Sequence, residues 1–235
     1  MPYSIEARYY DKLYGFKNYR AEADKLIDLI AARQRTPGKR LLDAACGTGG
    51  HIEFLCDHFD VQGLDFSAEM LAVARQRFPA LRFWQADMAD FELGDRFDVI
   101  TCLFSAIGYT RTPERMEQAV ACLGRHLLPG GLLIIEPWFA PEAFQAGTVH
   151  TLLIDEPQLK IARLNTSLVE GQVSVMDFHY LVATPSGTEH FVERHELGLF
   201  TPGQMRAAFE QADLQVEYDP VGLTGRGLYL GRAAG

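Results

Sequence analysis

From Leu41 onward the chain alternates short, continuous apolar runs with longer stretches of helical spacing. Leu41, Leu42 and Ala44 suit a strand covered on both faces, and the run breaks at Cys46-Gly47-Thr48-Gly49-Gly50 into a tight glycine turn. His51 to Phe59 then reads as a helix and Val61 to Phe66 as a second strand. Ser67 is placed to cap a helix that carries Glu69 in its first turn and runs to about Phe78, where Pro79 interrupts it. Leu81 to Asp87 and Phe97 to Phe104 predict the third and fourth strands. A helix follows from about Pro113 to Leu127, and Pro129-Gly130-Gly131 turns into a fifth strand ending at Glu136. Strands alternating with helices of this length predict an α/β architecture built on a doubly wound parallel sheet.

The pattern changes twice. Between about residues 149 and 200 it becomes short alternating runs, as in Gln172 to Tyr180, which predict an inserted antiparallel β layer. Thr201-Pro202 then starts a helix through Ala212, and Leu214 to Tyr218 and Gly227 to Leu230 read as closing strands. Before the first strand, residues from about 1 to 36 predict a helical lid, with Tyr19, Glu22 and Leu26 on one stripe at i, i+3 and i+7.

With 235 residues and no linker-like stretch, residues 1–235 read as a single elaborated domain. The formal charge of −9, with no cluster of lysine and arginine, opposes a nucleic-acid partner and leaves a small molecule as the expected ligand. No apolar run approaches the roughly 20 residues that span a bilayer, and the first residues lack a secretory pattern, so the expected location is cytoplasmic. Cys46, Cys56, Cys102 and Cys122 lie far apart in apolar contexts, which predicts buried thiols and no metal site. The short strands of the insert present an edge that suits pairing with a second subunit, so a homodimer is expected.

In a doubly wound sheet, ligands sit outside the carboxyl ends of the strands, near the point where strand order reverses. The glycine turn therefore proposes a nucleotide-like cofactor, and what it lacks narrows the choice. A dinucleotide fingerprint places a third glycine where this chain has Ile52, and no Gly-Lys-Ser/Thr follows to hold a triphosphate. Asp43 suits a cofactor with a cationic amino group. Asp65 ends the second strand 18 residues after Gly47, near the offset at which a carboxylate accepts ribose hydroxyls. Asp87 and Met88 are placed to accept from an adenine amino group and pack on its ring, with Phe66, Met70 and Phe104 as candidates to sandwich the base.

The run Asp43-Ala44-Ala45-Cys46-Gly47-Thr48-Gly49, then Asp65, then Asp87-Met88, resembles the first three motifs of class I S-adenosylmethionine-dependent methyltransferases. The resemblance implies a doubly wound Rossmann-like methyltransferase sheet, S-adenosylmethionine as cofactor and S-adenosylhomocysteine as product. It also implies that the glycine turn, including Ala45, cradles the methionine part while Asp43 lies near its ammonium. Further pieces are similar to bacterial dTDP-amino-sugar N,N-dimethyltransferases: Ala7 to Asp11, which carries Tyr10 as a cofactor candidate, Tyr19 to Ala23, Cys102 to Gly108, Glu136-Pro137-Trp138 and Gly225 to Leu228. Where that group suggests a histidine after Ile107-Gly108, this chain has Tyr109.

Methyl transfer is an in-line displacement at an already activated carbon, so the protein has to place a nucleophile about 3–3.5 Å away and exclude water. Tyr109 is the candidate to orient an acceptor amine; a tyrosine, with its ordinary pKa near 10, is a poor base at neutral pH. Tyr3 is similar in context to a tyrosine near the amine in the amino-sugar enzymes. Tyr19, Glu22, Trp138 and His179 are candidates for the substrate pocket, with Arg163 and Arg226 meeting a diphosphate. Three other readings stay open: O- or N-methylation of another small metabolite, a non-catalytic S-adenosylmethionine-binding module, and a nicotinamide enzyme, against which Ile52 argues. Asp65→Ala is expected to weaken cofactor binding by about 1.5–3 kcal/mol, the worth of a charged hydrogen bond; unchanged affinity by calorimetry would refute the ribose role.

Overall fold

The computed structural model describes residues 6–235. Its main sheet has seven strands, β1 (Arg40–Ala44), β2 (Asp60–Asp65), β3 (Arg82–Gln85), β4 (Phe97–Cys102), β5 (Leu127–Ile135), β10 (Leu214–Asp219) and β11 (Leu228–Ala233), in the order β10-β11-β5-β4-β1-β2-β3. The first five pair in parallel, and β11 pairs antiparallel with both β5 and β10. Strand order reverses between β1 and β4, so the glycine turn after β1 stands at the switch point where such sheets bind ligands. Every residue of β4 is buried, as a strand covered by helices on both faces requires.

The helices α1 (Glu6–Leu13), α2 (Tyr19–Arg33), α3 (Ile52–Leu55), α4 (Ala68–Arg77), α5 (Pro113–Arg125) and α6 (Pro202–Gln211) connect and cover the sheet. Ser67 caps α4, accepting from Met70 N at 3.1 Å. Thr201 and Gln204 form a reciprocal capping box on α6. On one side of the sheet Phe97, Ile100, Met116, Phe209 and Tyr229 pack together; on the other, Leu26 and Ile30 of α2 join Leu41, Val99 and Ile134. The N-terminal segment thus divides: α2 is a core helix, while α1 reaches toward the second sheet through Leu13.

That second sheet is a four-stranded antiparallel ribbon, β6 (Val149–Glu156), β7 (Leu159–Glu170), β8 (Val173–Thr184) and β9 (Gly187–Gly198), in sequence order. It is the inserted layer expected over 149–200. Its inner face, with Ile161, Met176, Phe178, Tyr180 and Val182, packs with Tyr109 and Trp138 from the ends of the main sheet.

Three local expectations are corrected. The helix expected over His51 to Phe59 is one turn, Ile52–Leu55, because the segment coils into β2 almost at once. Pro129-Gly130-Gly131 lies within β5, where the register to β4 slips between Phe97 and Val99. Gly130 at φ +80° absorbs that bulge, so the pair of glycines bends a strand where a turn was expected. The last strand runs on to Ala233, held by pairing on both sides. Among the described residues, no helix is long and apolar enough to cross a membrane.

Candidate active site

The chain leaves β1 through positive backbone angles at Ala45 (φ 57°), Gly47 (54°) and Gly49 (84°). A side chain at Gly49 would run into the Phe78 ring, whereas a Cβ at Gly47 would meet nothing, since that position faces an open cleft. The turn is pinned from several directions. Gly47 N donates to Asp65 Oδ2 at 2.8 Å, Thr48 Oγ1 donates to Asp11 Oδ1 of α1 at 2.6 Å, and Arg77 Nη1 donates to the Thr48 carbonyl at 3.0 Å. The cleft beside it is lined by Tyr10, Tyr19, Asp43, Ala45, Gly47 and Phe104.

Asp43 lies at the cleft's floor, 2% exposed, and accepts from Thr101 Oγ1 at 2.8 Å. Burial pushes its carboxyl up to about 6; His51 and Thr101 pull it down and Asp65 adds to the rise. A buried carboxylate with one neutral donor is a fitting counter-ion for a cationic amino group. Glu22 is committed elsewhere. Its carboxylate bonds His51 Nε2 at 2.8 Å and the Lys17 ammonium, all three side chains being nearly inaccessible. Burial acts to raise its pKa, yet the His51 and Lys17 bonds prevail and hold the carboxyl low. The substrate role expected for Glu22 is therefore corrected: it supports the cleft wall. Neither Lys25, bonded to the Gly222 carbonyl, nor Arg20, over Phe54, is its partner. Tyr19 moves likewise to the cofactor cleft, edge-on to His51 with ring centroids 4.9 Å apart and its ring against Gly50.

Around the expected base site the residues divide. Asp65 Oδ1 accepts from Ser67 N at 2.8 Å, and burial raises its carboxyl against the pull of the Ser67, Gly47 and Phe66 amides. Each oxygen keeps a lone pair for a ligand hydroxyl. Met70 is buried, and Phe66 is 68% exposed beside the cleft's end of β2. Asp87 is shared: Oδ2 meets Arg115 at 2.5 Å and Oδ1 accepts from Ala89 N at 2.9 Å, with Met88 half-buried next to it. Phe104 is not with this group. Its ring lies edge-on to Tyr14 at 5.2 Å, under the Lys17 ammonium at 4.5 Å and beside Arg226 at 5.7 Å.

Phe104 therefore lies between the cleft and an aromatic cluster, with Tyr14, Trp138 and Phe178, packed against the antiparallel sheet. Glu136, fully buried after β5, accepts from Phe104 N at 2.7 Å and Thr224 Oγ1 at 2.5 Å and lies 3.8 Å from Arg226. Arg226 is ringed by Phe104, Trp138 and Phe139, and Trp138 Nε1 donates to Ser174 Oγ at 2.9 Å. From β7, Arg163 lies 4.6 Å over Phe178 and donates to the Tyr14 hydroxyl at 3.3 Å. Tyr109, in the 3-10 turn Ala106–Thr110 after β4, bonds through its hydroxyl to His195 Nδ1 at 2.8 Å. Burial first, then the charge of Arg163, hold the His195 imidazole down to about 4.

His179 is corrected. It is exposed on the outer face of β8, stacked 5.7 Å from His190, because even-numbered residues of β8 face inward. His195 of β9 opposes the inward Met176, so this histidine stands on the buried inner face. Tyr3 lies outside the described residues. Sequence reasoning did not single out Asp11, Tyr14, Lys17, His51, Glu136 or His195 as site residues. Only His51, directly behind the glycine turn, and Glu136, at a strand end, carried a positional signal.

A nucleotide-type cleft at the switch point, with acids at successive strand ends, defines an α/β enzyme that holds a nucleoside cofactor. Residues 41–131 match a family model described as a methyltransferase domain. The chain is 42% identical over 218 residues to the dTDP-3-amino-3,4,6-trideoxy-alpha-D-glucopyranose N,N-dimethyltransferase of Streptomyces venezuelae, spanning 92% of this chain and 91% of that protein. It is 39% identical to the dTDP-4-amino-2,3,4,6-tetradeoxy-D-glucose N,N-dimethyltransferase of Saccharopolyspora spinosa, spanning 94% and 90%. Among solved structures it superposes on Streptomyces venezuelae DesVI with a TM-score of 0.91 and 40% identity, over 97% of this chain and 98% of that one. On S-adenosylmethionine-bound CalS10, an amino pentose methyltransferase from Micromonospora echinaspora, the TM-score is 0.86 at 38% identity, over 98% and 96%. The chain belongs to the S-adenosylmethionine-dependent methyltransferases, in the family that holds the dTDP-amino-sugar N,N-dimethyltransferases.

The raised Asp43 carboxyl has a measurable consequence. Between about pH 4 and pH 6 the folded protein binds more protons here than the unfolded chain, so stability falls as pH rises through that window. Above it the cost is fully present, up to about 3 kcal/mol. Asp43→Asn is expected to raise the unfolding midpoint of the cofactor-free protein at pH 7.5, with little gain at pH 4, while weakening S-adenosylmethionine binding. Urea titrations at both pH values and calorimetry check this; equal effects at the two pH values would count against it.

Proposed function

We propose that the protein transfers a methyl group from S-adenosylmethionine to the amine of a nucleotide-linked amino sugar. The observation that carries this reading is the aromatic cluster beside the cleft. Phe104, which lines the cleft, also meets Tyr14 and Arg226, and the cluster carries two guanidiniums, Arg163 and Arg226. The Arg226 side chain is 18% exposed and, among the described residues, its buried Nε has no hydrogen-bond partner, so the guanidinium retains a donor for an anionic substrate group. The named activities of the Streptomyces and Saccharopolyspora relatives support the same substrate class.

When bound, S-adenosylmethionine supplies a methyl group on a sulfonium that needs no further activation. The protein's work is then placement and exclusion of water. In this reading Asp43 faces the cofactor's ammonium, Asp65 the ribose and Asp87 with Met88 the adenine. The Tyr109 hydroxyl orients the amine, and Arg226 and Arg163 hold the charged end of the acceptor. Tyr3 is proposed to complete the acceptor side, although it lies outside the described residues.

We further propose that the enzyme works in the cytoplasm as a homodimer joined through the outer face of the antiparallel sheet. Thr151, Leu164, His179 and Val192 stand in one cross-strand row and Leu153, Ala162, Leu181 and His190 in the next. Leu153 is 69% exposed and Leu164 and Leu181 50% each, an apolar patch that a second copy would cover.

Assays with S-adenosylmethionine and a panel of nucleotide amino sugars and hydroxylated metabolites test the first proposal. Turnover of amino sugars is expected, and turnover of hydroxylated acceptors alone would replace it. Tyr109→Phe is expected to lower kcat about 10- to 100-fold with little change in cofactor affinity; unaltered kinetics would remove its hydroxyl from the reaction. By light scattering, Leu164→Asp should convert a dimer to a monomer, and a monomeric unaltered protein would end the dimer proposal.

A further inference from the structure

The Tyr109 hydroxyl can help methyl transfer to an amine in only one orientation. An amine attacks through its lone pair, so a neighbouring hydroxyl that donates into that pair blocks the reaction, while one that accepts an N–H leaves the pair free and aims it. A phenol is a rotor that can do either. Here its neighbour is the His195 ring, 2.8 Å away at Nδ1, 2% exposed and set 4.6 Å from Phe178. The two groups come from different sheets: Tyr109 from the turn after β4, His195 from the inward face of β9.

We propose that His195 is a positioning residue for this reaction: its Nδ1 takes the Tyr109 hydroxyl hydrogen in a hydrogen bond and so presents the phenol's lone pairs to the acceptor amine. The proposal deepens the amine-methylation reading and rests on it. The direction of the bond follows from acidity, since a phenol O–H is a stronger acid than the N–H of a neutral imidazole. Burial and the Arg163 charge keep the imidazole neutral, as an acceptor role requires, and spare the aromatic cluster a further cation beside its two guanidiniums. No proton changes owner within the pair. The arrangement also gives a physical reason for a tyrosine at 109. The imidazole comes from the second sheet behind it and acts through its hydroxyl.

A double-mutant cycle tests this, with Tyr109→Phe, His195→Leu, the two combined, and His195→Asn, whose amide oxygen can stand near the place of Nδ1. The readouts are kcat, KM and S-adenosylmethionine affinity with an amino-sugar acceptor, together with 15N NMR of the histidines in the unaltered protein and in Tyr109→Phe. His195→Leu is expected to lower kcat about 10-fold or more with cofactor affinity kept. It should cost less than about twofold more when Tyr109→Phe is already present, since the two act as one unit. His195→Asn should recover most of the loss, and NMR should show Nδ1 unprotonated and responsive to Tyr109→Phe. Multiplying losses, an unchanged kcat in His195→Leu, or a protonated Nδ1 would each overturn the proposal. If the unaltered protein methylates no amine, the functional reading falls, and the proposed role for His195 falls with it. A protonated Nδ1 beside intact amine turnover refutes the positioning role alone.

Discussion

The carboxylate of Asp65 holds two parts of the chain at once. One oxygen takes the Gly47 amide and the other the Ser67 amide, each at 2.8 Å. The glycine turn after β1 is thereby tied to the end of β2 and to the start of α4. A backbone that passes through positive φ at Ala45, Gly47 and Gly49 has no regular ladder to satisfy its amides, so a fixed acceptor is what keeps it in one conformation.

Glu136 repeats this device at the neighbouring strand end. Phe104 and Ser105 also carry positive φ, and the Phe104 amide donates to a carboxylate that is itself fully buried. Both switch-point turns are thus held by carboxylates on other strands. Phe104 lines the cleft on one side and meets Tyr14 and Arg226 on the other. Glu22 is paired with Lys17, and Asp11 with Arg77. Asp43 is buried with a hydroxyl donor, and that leaves it suited to receive a cation from outside.

The antiparallel insert packs its inner face against Tyr109 and Trp138 from the ends of the main sheet. Its two faces differ as period-two alternation requires, with Met176, Phe178 and Tyr180 inside and His179 and Leu181 outside on the same strand. Strand register then decides which histidine enters. In an antiparallel pair, directly opposed residues share a face, and His195 opposes Met176 while His179 opposes Val192.

Much of the first half of the chain was legible without coordinates. Apolar runs broken by glycine, with Ser67 as a cap, specify strands and helices through local preferences alone, and the glycine turn with Asp65 identifies the cofactor class because both lie in one contiguous stretch. The surroundings of the cleft were much less legible. Glu22 on an inward stripe could be read, but its partners could not, since His51 is 29 residues away in sequence and Lys17 belongs to the loop before α2. Tyr109 and His195 are 86 residues apart and meet only because two sheets pack. Local patterning encodes what each segment is; register and packing decide which side chains face one another, because those depend on distant segments that no single stretch contains.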